Sequence, residues 1–317
     1  MARFAVRRLL GMLVVLFAVS VIVFLVFNVI PNSNPAARIA GQKSAGDAQL
    51  IHNIEEEWGF DESLPVQYVT MMKLIFTGEL ISYESQTNVV EEIEAGIPAT
   101  LSLCIGAAVI WMLFGILFGY LSAVKAGGWL DRALTIGSVA GISIPVFLIA
   151  PVLLYFLTYK LEIFPNAQYV PLLDDPGEWV KHLVLPWFTL AILSIGFYSR
   201  VLRSNMLDVM NEDYVRTARA KGLSERKVMT RHVLRNSLIP IITLFGLDFG
   251  ATIAGTAIIT EVLFSLDGIG SYAAEAAIKT ELPPIMGVTL YGAFFIVVFS
   301  ALVDFIYAFL DPRIRPT

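Results

Sequence analysis

The sequence predicts an all-α polytopic membrane protein of six transmembrane helices, with N and C termini cytoplasmic. Three observations carry that expectation. Of its 317 residues, 56% are hydrophobic and only 15% charged, where a soluble domain carries about 25% charged residues. The apolar residues come in long runs, the mark of a chain that has lipid as part of its solvent. Lys and Arg are also shared unequally between alternate loops, which fixes an orientation.

The six runs are Leu9–Ile30, Ile97–Val124, Ala133–Tyr159, His182–Met206, Asn236–Thr260 and Ile285–Leu310, and the first three contain no Asp, Glu, Lys or Arg. Lipid offers no hydrogen bonds, so the backbone of each run must satisfy itself as a helix. None has the alternating pattern of a membrane barrel. The first run is longer than the roughly 7–15 apolar residues of a signal peptide and no small-residue cleavage site follows, so a retained span is expected. With the N-terminus inside, sixteen of the 22 Lys and Arg fall in cytoplasmic segments. Between Pro31 and Pro98 the bias reverses, with eleven acids against three bases.

The resulting organisation is an N-terminal segment and first span (1–30), an external loop with short amphipathic helices (31–96), a five-span core (97–310) containing a basic loop (207–235), and a cytoplasmic tail (311–317). In the external loop, Gln49–Trp58 places Leu50, Ile51, Ile54 and Trp58 near one face. A second helix follows Ser63, with Pro65 in its first turn and Val69, Met72, Lys73 and Phe76 three or four apart. These helices read equally as a lid on the bundle or as a docking surface. A short helix is expected over Tyr272–Ile278, stopped by Pro283 and Pro284. Pairs of glycines at helical spacing (Gly115/Gly119, Gly137/Gly141, Gly246/Gly250) allow close helix approach. Pro145, Pro151 and Pro186 are placed to kink spans. The single Cys104 excludes an intramolecular disulfide and reads as a packing residue.

The most informative segment is Asp213–Pro240, DYVRTARAKGLSERKVMTRHVLRNSLIP, with seven basic side chains against two acids. It reads as two short helices. Asn211 is placed to cap the first, with Glu212 and Asp213 in its first turn and Arg219 and Lys221 at its end, as the helix dipole favours. Gly222 is placed to stop it in the left-handed conformation. Ser224 then caps a second helix that runs through Arg235 into the fifth span. Thr217, Ala218 and Ala220 make the first helix slim enough for a groove in another protein, with Tyr214 and Leu223 as apolar anchors. Attraction to anionic headgroups would explain the charge, but not the small residues, the glycine stop or the second cap.

YVRTARAKGL (Tyr214–Leu223) followed by NSLIP (Asn236–Pro240) resembles the EAA loop of ABC-importer permeases, in the dipeptide, oligopeptide and nickel branch. Further similarities are RRLLGMLVVL near the start, VIPNSNPAA (Val29–Ala37), EEIEAGIPATLSL (Glu91–Leu103) and LDPRIRP (Leu310–Pro316). Arg216 stands where the loop's eponymous Glu is found, and Asn32-Ser33-Asn34-Pro35 replaces a Gly-Asp-Pro element. The resemblance implies a multi-pass permease subunit of a bacterial or archaeal plasma membrane. It implies a second homologous permease, two cytoplasmic ABC ATPases that bind ATP and Mg, and an external solute-binding protein, with no nucleic acid and no cofactor in this chain. It further implies that Asp213, Tyr214, Arg216, Thr217, Ala218, Arg219, Ala220, Lys221, Gly222 and Leu223 couple to an ATPase. The cargo it implies is a di- or oligopeptide, with nickel or another small solute as the alternative.

The chain is not expected to be an ATPase itself, because no Gly-Lys dipeptide occurs and hence no phosphate-binding loop. A gradient-driven secondary transporter is the alternative of another class, since its usual mark is an ionisable group inside the membrane. Asp248 lies near the middle of the fifth span and Asp304 in the last. Asp248 is expected to be a hydrogen-bonded or pathway-facing acid. A channel would need a filter or repeated pore elements, and neither is found. His52, His182 and His232 are too scattered for a metal site.

Overall fold

The computed structural model describes residues 2–29, 34–41 and 47–310. Its helices are α1 (Ala2–Phe24), α2 (Pro35–Ala40), α3 (Ala48–Trp58), α4 (Leu64–Thr77), α5 (Val89–Val124), α6 (Trp129–Ser143), α7 (Val146–Leu153), α8 (Pro176–Val209), α9 (Asp213–Ala220), α10 (Glu225–Lys227), α11 (Arg235–Ala251), α12 (Ile258–Leu263), α13 (Ile269–Lys279) and α14 (Leu282–Leu310). Wider, π-type turns extend α1 over Leu25–Val29 and α7 over Leu154–Lys160, join α10 to α11 over Val228–Leu234, and follow α11 over Thr252–Thr256. The chain is not wholly helical: an antiparallel ribbon pairs β1 (Ile81–Ser82) with β2 (Thr87–Asn88).

Among the described residues five helices are long and apolar enough to cross a membrane: Val6–Val29, Val89–Val124, Pro176–Val209, Glu225–Thr256 and Leu282–Val303. The third expected span is broken instead. Trp129–Ser143 and Val146–Lys160 meet at 100°. Pro145 is the cause: it forces Ile144 into an extended conformation (φ −93°, ψ 119°) and brings no N–H of its own to a continuing ladder. Pro186 by contrast sits inside an unbroken α8.

The chain divides into two units, residues 1–101 with 250–317, and residues 102–249. In the first, Phe24, Ile39, Ile54, Trp58, Met71, Leu80 and Met286 form one apolar core. Asn34 caps α2 by accepting from the Ala36 and Ala37 amides, and Asp47 caps α3 in the same way. The apolar face expected for α3 is the buried one, at Ile54 and Trp58. That of α4 is rotated: Met71 and Leu74 are buried, whereas Val69, Lys73 and Phe76 are exposed. Apolar residues lie all round this helix, so its spacing does not select a face. The short helix expected over Tyr272–Ile278 is α13, and Thr280 ends it in the left-handed conformation. Pro283 and Pro284 open α14 rather than stop α13, because prolines in a first turn forfeit no helical hydrogen bond.

In the second unit α5 and α6 pack on α8. A Cβ on Gly115 would lie 2.9 Å from that of Tyr198, and one on Gly119 would meet the Ser199 carbonyl at 2.8 Å. Gly196 lets the Ser138 carbonyl approach, and the Ser138 and Ser199 hydroxyls bond at 2.8 Å. Trp111, Tyr198, Leu103, Leu183, Leu202 and Met206 are fully buried there.

Candidate functional site

The basic loop lies wholly in the second unit. After α8 the chain turns through Met210–Glu212 into α9. Asn211 does not cap this helix: its side-chain amide donates back to the Leu207 carbonyl at 3.0 Å. Glu212 holds the cap position, without a side-chain bond, and Asp213 is in the first turn. Gly222 ends the helix at φ +78°. Its amide donates to the Arg219 carbonyl at 2.9 Å and that of Leu223 to Ala218 at 3.4 Å, so the last carbonyls are satisfied as a left-handed stop requires. Ser224 stands at the next cap, and its carbonyl, not its hydroxyl, accepts from Lys227 and Val228.

One face of α9 is anchored. Val215 and Ala218 are buried, and the helix packs against Val228–Leu234, whose Val228, Met229 and Val233 are buried as well. Ala218 is therefore part of this anchor, not of the outward small-residue face. The outward face holds Asp213, Tyr214, Arg216, Thr217, Ala220 and Lys221, all exposed, with Leu223 half-buried. Three further hydrogen bonds fix its position. The Arg219 guanidinium spans the Glu225 carboxylate at 3.1 and 2.8 Å, closing the loop around Gly222. The Asn236 amide donates to the Tyr214 hydroxyl at 2.8 Å. Sequence patterning did not identify Val215, whose spacing of three to Ala218 was the available signal.

A second cluster has no counterpart in the sequence pattern. Asp131, at the start of α6, accepts from Arg203 Nε and Nη2 at 2.7 and 2.8 Å, from the Gly127 amide at 2.8 Å, and from the Ser122 hydroxyl. This buried carboxylate joins the α5–α6 turn to the end of α8. The turn at 125–128 and the basic loop thus lie at the same end of the unit.

Asp248 is half-buried in α11. The Tyr198 hydroxyl donates to its Oδ2 at 2.8 Å. Aromatic rings surround the pair: Trp111 lies 6.3 Å from Tyr198 and 5.9 Å from Phe245, which stacks on Phe249 at 5.6 Å. The side chain of Asp304 and residues 311–316 of the LDPRIRP ending lie outside the described residues, as do residues 30–33 of the VIPNSNPAA element. Among the described residues no group of three His, Cys, Asp or Glu side chains is placed to hold a metal ion.

In the first unit, Glu261 is fully buried in α12. It accepts from the Thr100 hydroxyl at 2.7 Å and the Ser271 amide at 3.0 Å, while Thr100 Oγ1 accepts from the Ile269 amide at 2.9 Å. Burial pushes this carboxyl above its ordinary range, against the opposing pull of these donors.

The helices define a multi-pass membrane protein whose basic loop is anchored on one face and exposed on the other. The chain belongs to the family of binding-protein-dependent transport system inner-membrane components, whose model matches residues 115–316, with the N-terminal model of the same system matching residues 1–104. It is 35% identical over 316 residues to a "probable peptide ABC transporter permease protein" of Sinorhizobium fredii, covering 99% of this chain and 100% of that one. It is 33% identical to a dipeptide transport system permease protein of Bacillus subtilis, over 99% of this chain and 98% of that one. A dipeptide transport system permease protein of Alkalihalophilus pseudofirmus is also 33% identical, with 99% and 100% covered. The chain is accordingly a multi-pass inner-membrane component of an ABC transport system.

Proposed function

We propose that this chain forms half of the translocation pathway of an ATP-driven importer of di- or oligopeptides. Its partners are a second homologous permease, two cytoplasmic ABC ATPases that bind ATP and Mg, and an external solute-binding protein that delivers the peptide. Both termini and the basic loop face the cytoplasm in this reading, and the segment 31–96 is external. Residues 97–310 form the five-span core around the coupling loop 207–235, and 311–317 the tail. Asp213, Tyr214, Arg216, Thr217, Ala220, Lys221, Gly222 and Leu223 contact an ATPase, with Ala218 and Arg219 holding the helix that presents them. Asp248 faces the pathway.

The observation that carries this reading is the division of α9 into an anchored face at Val215 and Ala218 and an exposed face of Tyr214, Thr217, Ala220 and Lys221. A helix fixed on one side and exposed on the other, kept slim by Thr217 and Ala220, is suited to seat in a groove. ATP-driven closure of the ATPases then moves α8 and α11, between which the loop is strung. The peptide cargo follows from what the relatives are described as carrying.

The test is Gly222→Val. A Cβ there meets no atom within 4 Å, so the strain is in the backbone alone, about 1–2 kcal/mol for the left-handed conformation. In proteoliposomes with the partner subunits, peptide uptake should fall about tenfold and ATPases should dissociate more readily, while membrane insertion persists. Unchanged assembly and uptake would overturn the coupling role. Uptake without ATP would point to a gradient-driven transporter, and a binding protein that holds a nickel chelate but no peptide would overturn the cargo.

A further inference from the structure

Beside the coupling loop the second unit carries a groove of about 710 Å³, lined by Val109, Met112, Leu113, Ile116, Leu117 and Tyr120 of α5 and by Arg226, Thr230 and Leu234. Its floor is apolar and uncovered: Val109, Leu113 and Leu117, one helical turn apart in sequence, are 61%, 60% and 43% exposed. Arg226 is the single charged residue in the lining. It is exposed, and among the described residues no carboxylate lines the groove to neutralise it. Ser122, near the end of α5, and Arg203, near the end of α8, both bond to Asp131, and Arg226 lies in the loop that follows α8, which puts it toward the Tyr120 end of the groove. Eleven residues separate Val109 from Tyr120, about 16 Å at the helical rise. That is close to one leaflet of a hydrocarbon core about 30 Å thick.

We infer that this groove binds an anionic phospholipid from the leaflet on the coupling-loop side. One acyl chain lies along Val109–Leu117 and the headgroup phosphate is held by Arg226, with Tyr120 at headgroup depth where tyrosines favour the interface. Length, apolarity and a lone cation at one end fit an amphiphile with a single negative head. A free anion would leave the apolar floor uncovered, and a zwitterionic lipid would gain less from Arg226. Because Arg226 lies in α10, four residues past the glycine that ends α9, an occupied groove would brace the coupling loop against the bilayer.

The experiment is native mass spectrometry of the full chain, purified in mild detergent with any accompanying subunits and supplied with equal phosphatidylglycerol and phosphatidylcholine. The wild type should retain phosphatidylglycerol about fivefold over phosphatidylcholine, the worth of one cation at an anionic surface. Arg226→Gln should bring the ratio to parity and Arg226→Lys should preserve most of it. Parity in the wild type, or an unchanged preference in Arg226→Gln, overturns the site. A photoreactive phenylalanine analogue placed at Leu113 reports the occupant directly. A crosslink to phospholipid supports the inference, and a crosslink to another polypeptide overturns it.

Discussion

Asp131 ties α5, the turn after it, α6 and α8 of the second unit together. It is 4% exposed and saturated by Arg203, Ser122 and Gly127. Removing one partner of a buried pair leaves the other charge stranded at a cost of about 3–5 kcal/mol. Arg203→Ala should therefore lower the thermal midpoint of the purified chain sharply, and Asp131→Asn combined with Arg203→Met should recover part of the loss. A midpoint indistinguishable from wild type for Arg203→Ala would show that the carboxylate finds other support. Single residues are legible in the sequence only in part. Gly222 is legible because a left-handed stop accounts for a glycine between two capped helices. Asn211 is not, because an asparagine can cap forward or bond back to the preceding helix, and here it bonds back to Leu207. Ala218 falls on the opposite face from the expected one because an alanine carries no polarity to choose a side. Asp131 and Arg203 are 72 residues apart, and no spacing rule connects them.

At the scale of elements, the junction of α12 and α13 makes a pH-dependent prediction. Glu261 accepts from an amide at the start of α13 and shares Thr100 with Ile269. Burial raises its carboxyl pKa from the ordinary 4.5. A raised acid binds more protons folded than unfolded, so its favourable contribution is complete below the unfolded value and is lost as pH rises through the folded one. The thermal midpoint should consequently decline as pH rises above about 4.5, the ordinary value of the group, in the chain purified in detergent. Glu261→Gln should flatten that decline, whereas Glu261→Ala should cost about 2–3 kcal/mol at all pH values by leaving buried donors unpaired. A wild-type midpoint rising with pH over that range would contradict the assignment. Spans are the elements best read from sequence, since a long apolar run without charge is stable only where lipid surrounds it. The broken third span and the rotated α4 are not legible in that way: an apolar run does not report how sharply a proline breaks it, and apolar residues all round α4 leave its buried side unmarked. Pro145 marks a kink without revealing that it reaches 100°.

At the scale of the whole molecule, the proposed topology has a direct test. Cys104 is the sole cysteine and is buried, so Cys104→Ala provides a clean background for single cysteines. In intact cells a membrane-impermeant thiol reagent should label Gln49→Cys, and should label Arg216→Cys only after permeabilisation. The reverse pattern would invert every loop and remove the coupling assignment. The class of protein is legible from composition, charge asymmetry and the loop motif together, whereas the cargo leaves no mark on any single residue described. The run from Glu225 to Phe249, in which wider turns join α10 to α11, measures about 37 Å at the α-helical rise. On the proposed coupling it would act as a lever with its short handle in the loop of residues 213–224. A tilt of roughly 10° about that end carries the far end through about 6 Å over this length, more than the width of an extended backbone. In that reading a small closing movement at the loop end would be magnified geometrically toward the opposite end of the helix, without a chain of successive rearrangements along the way.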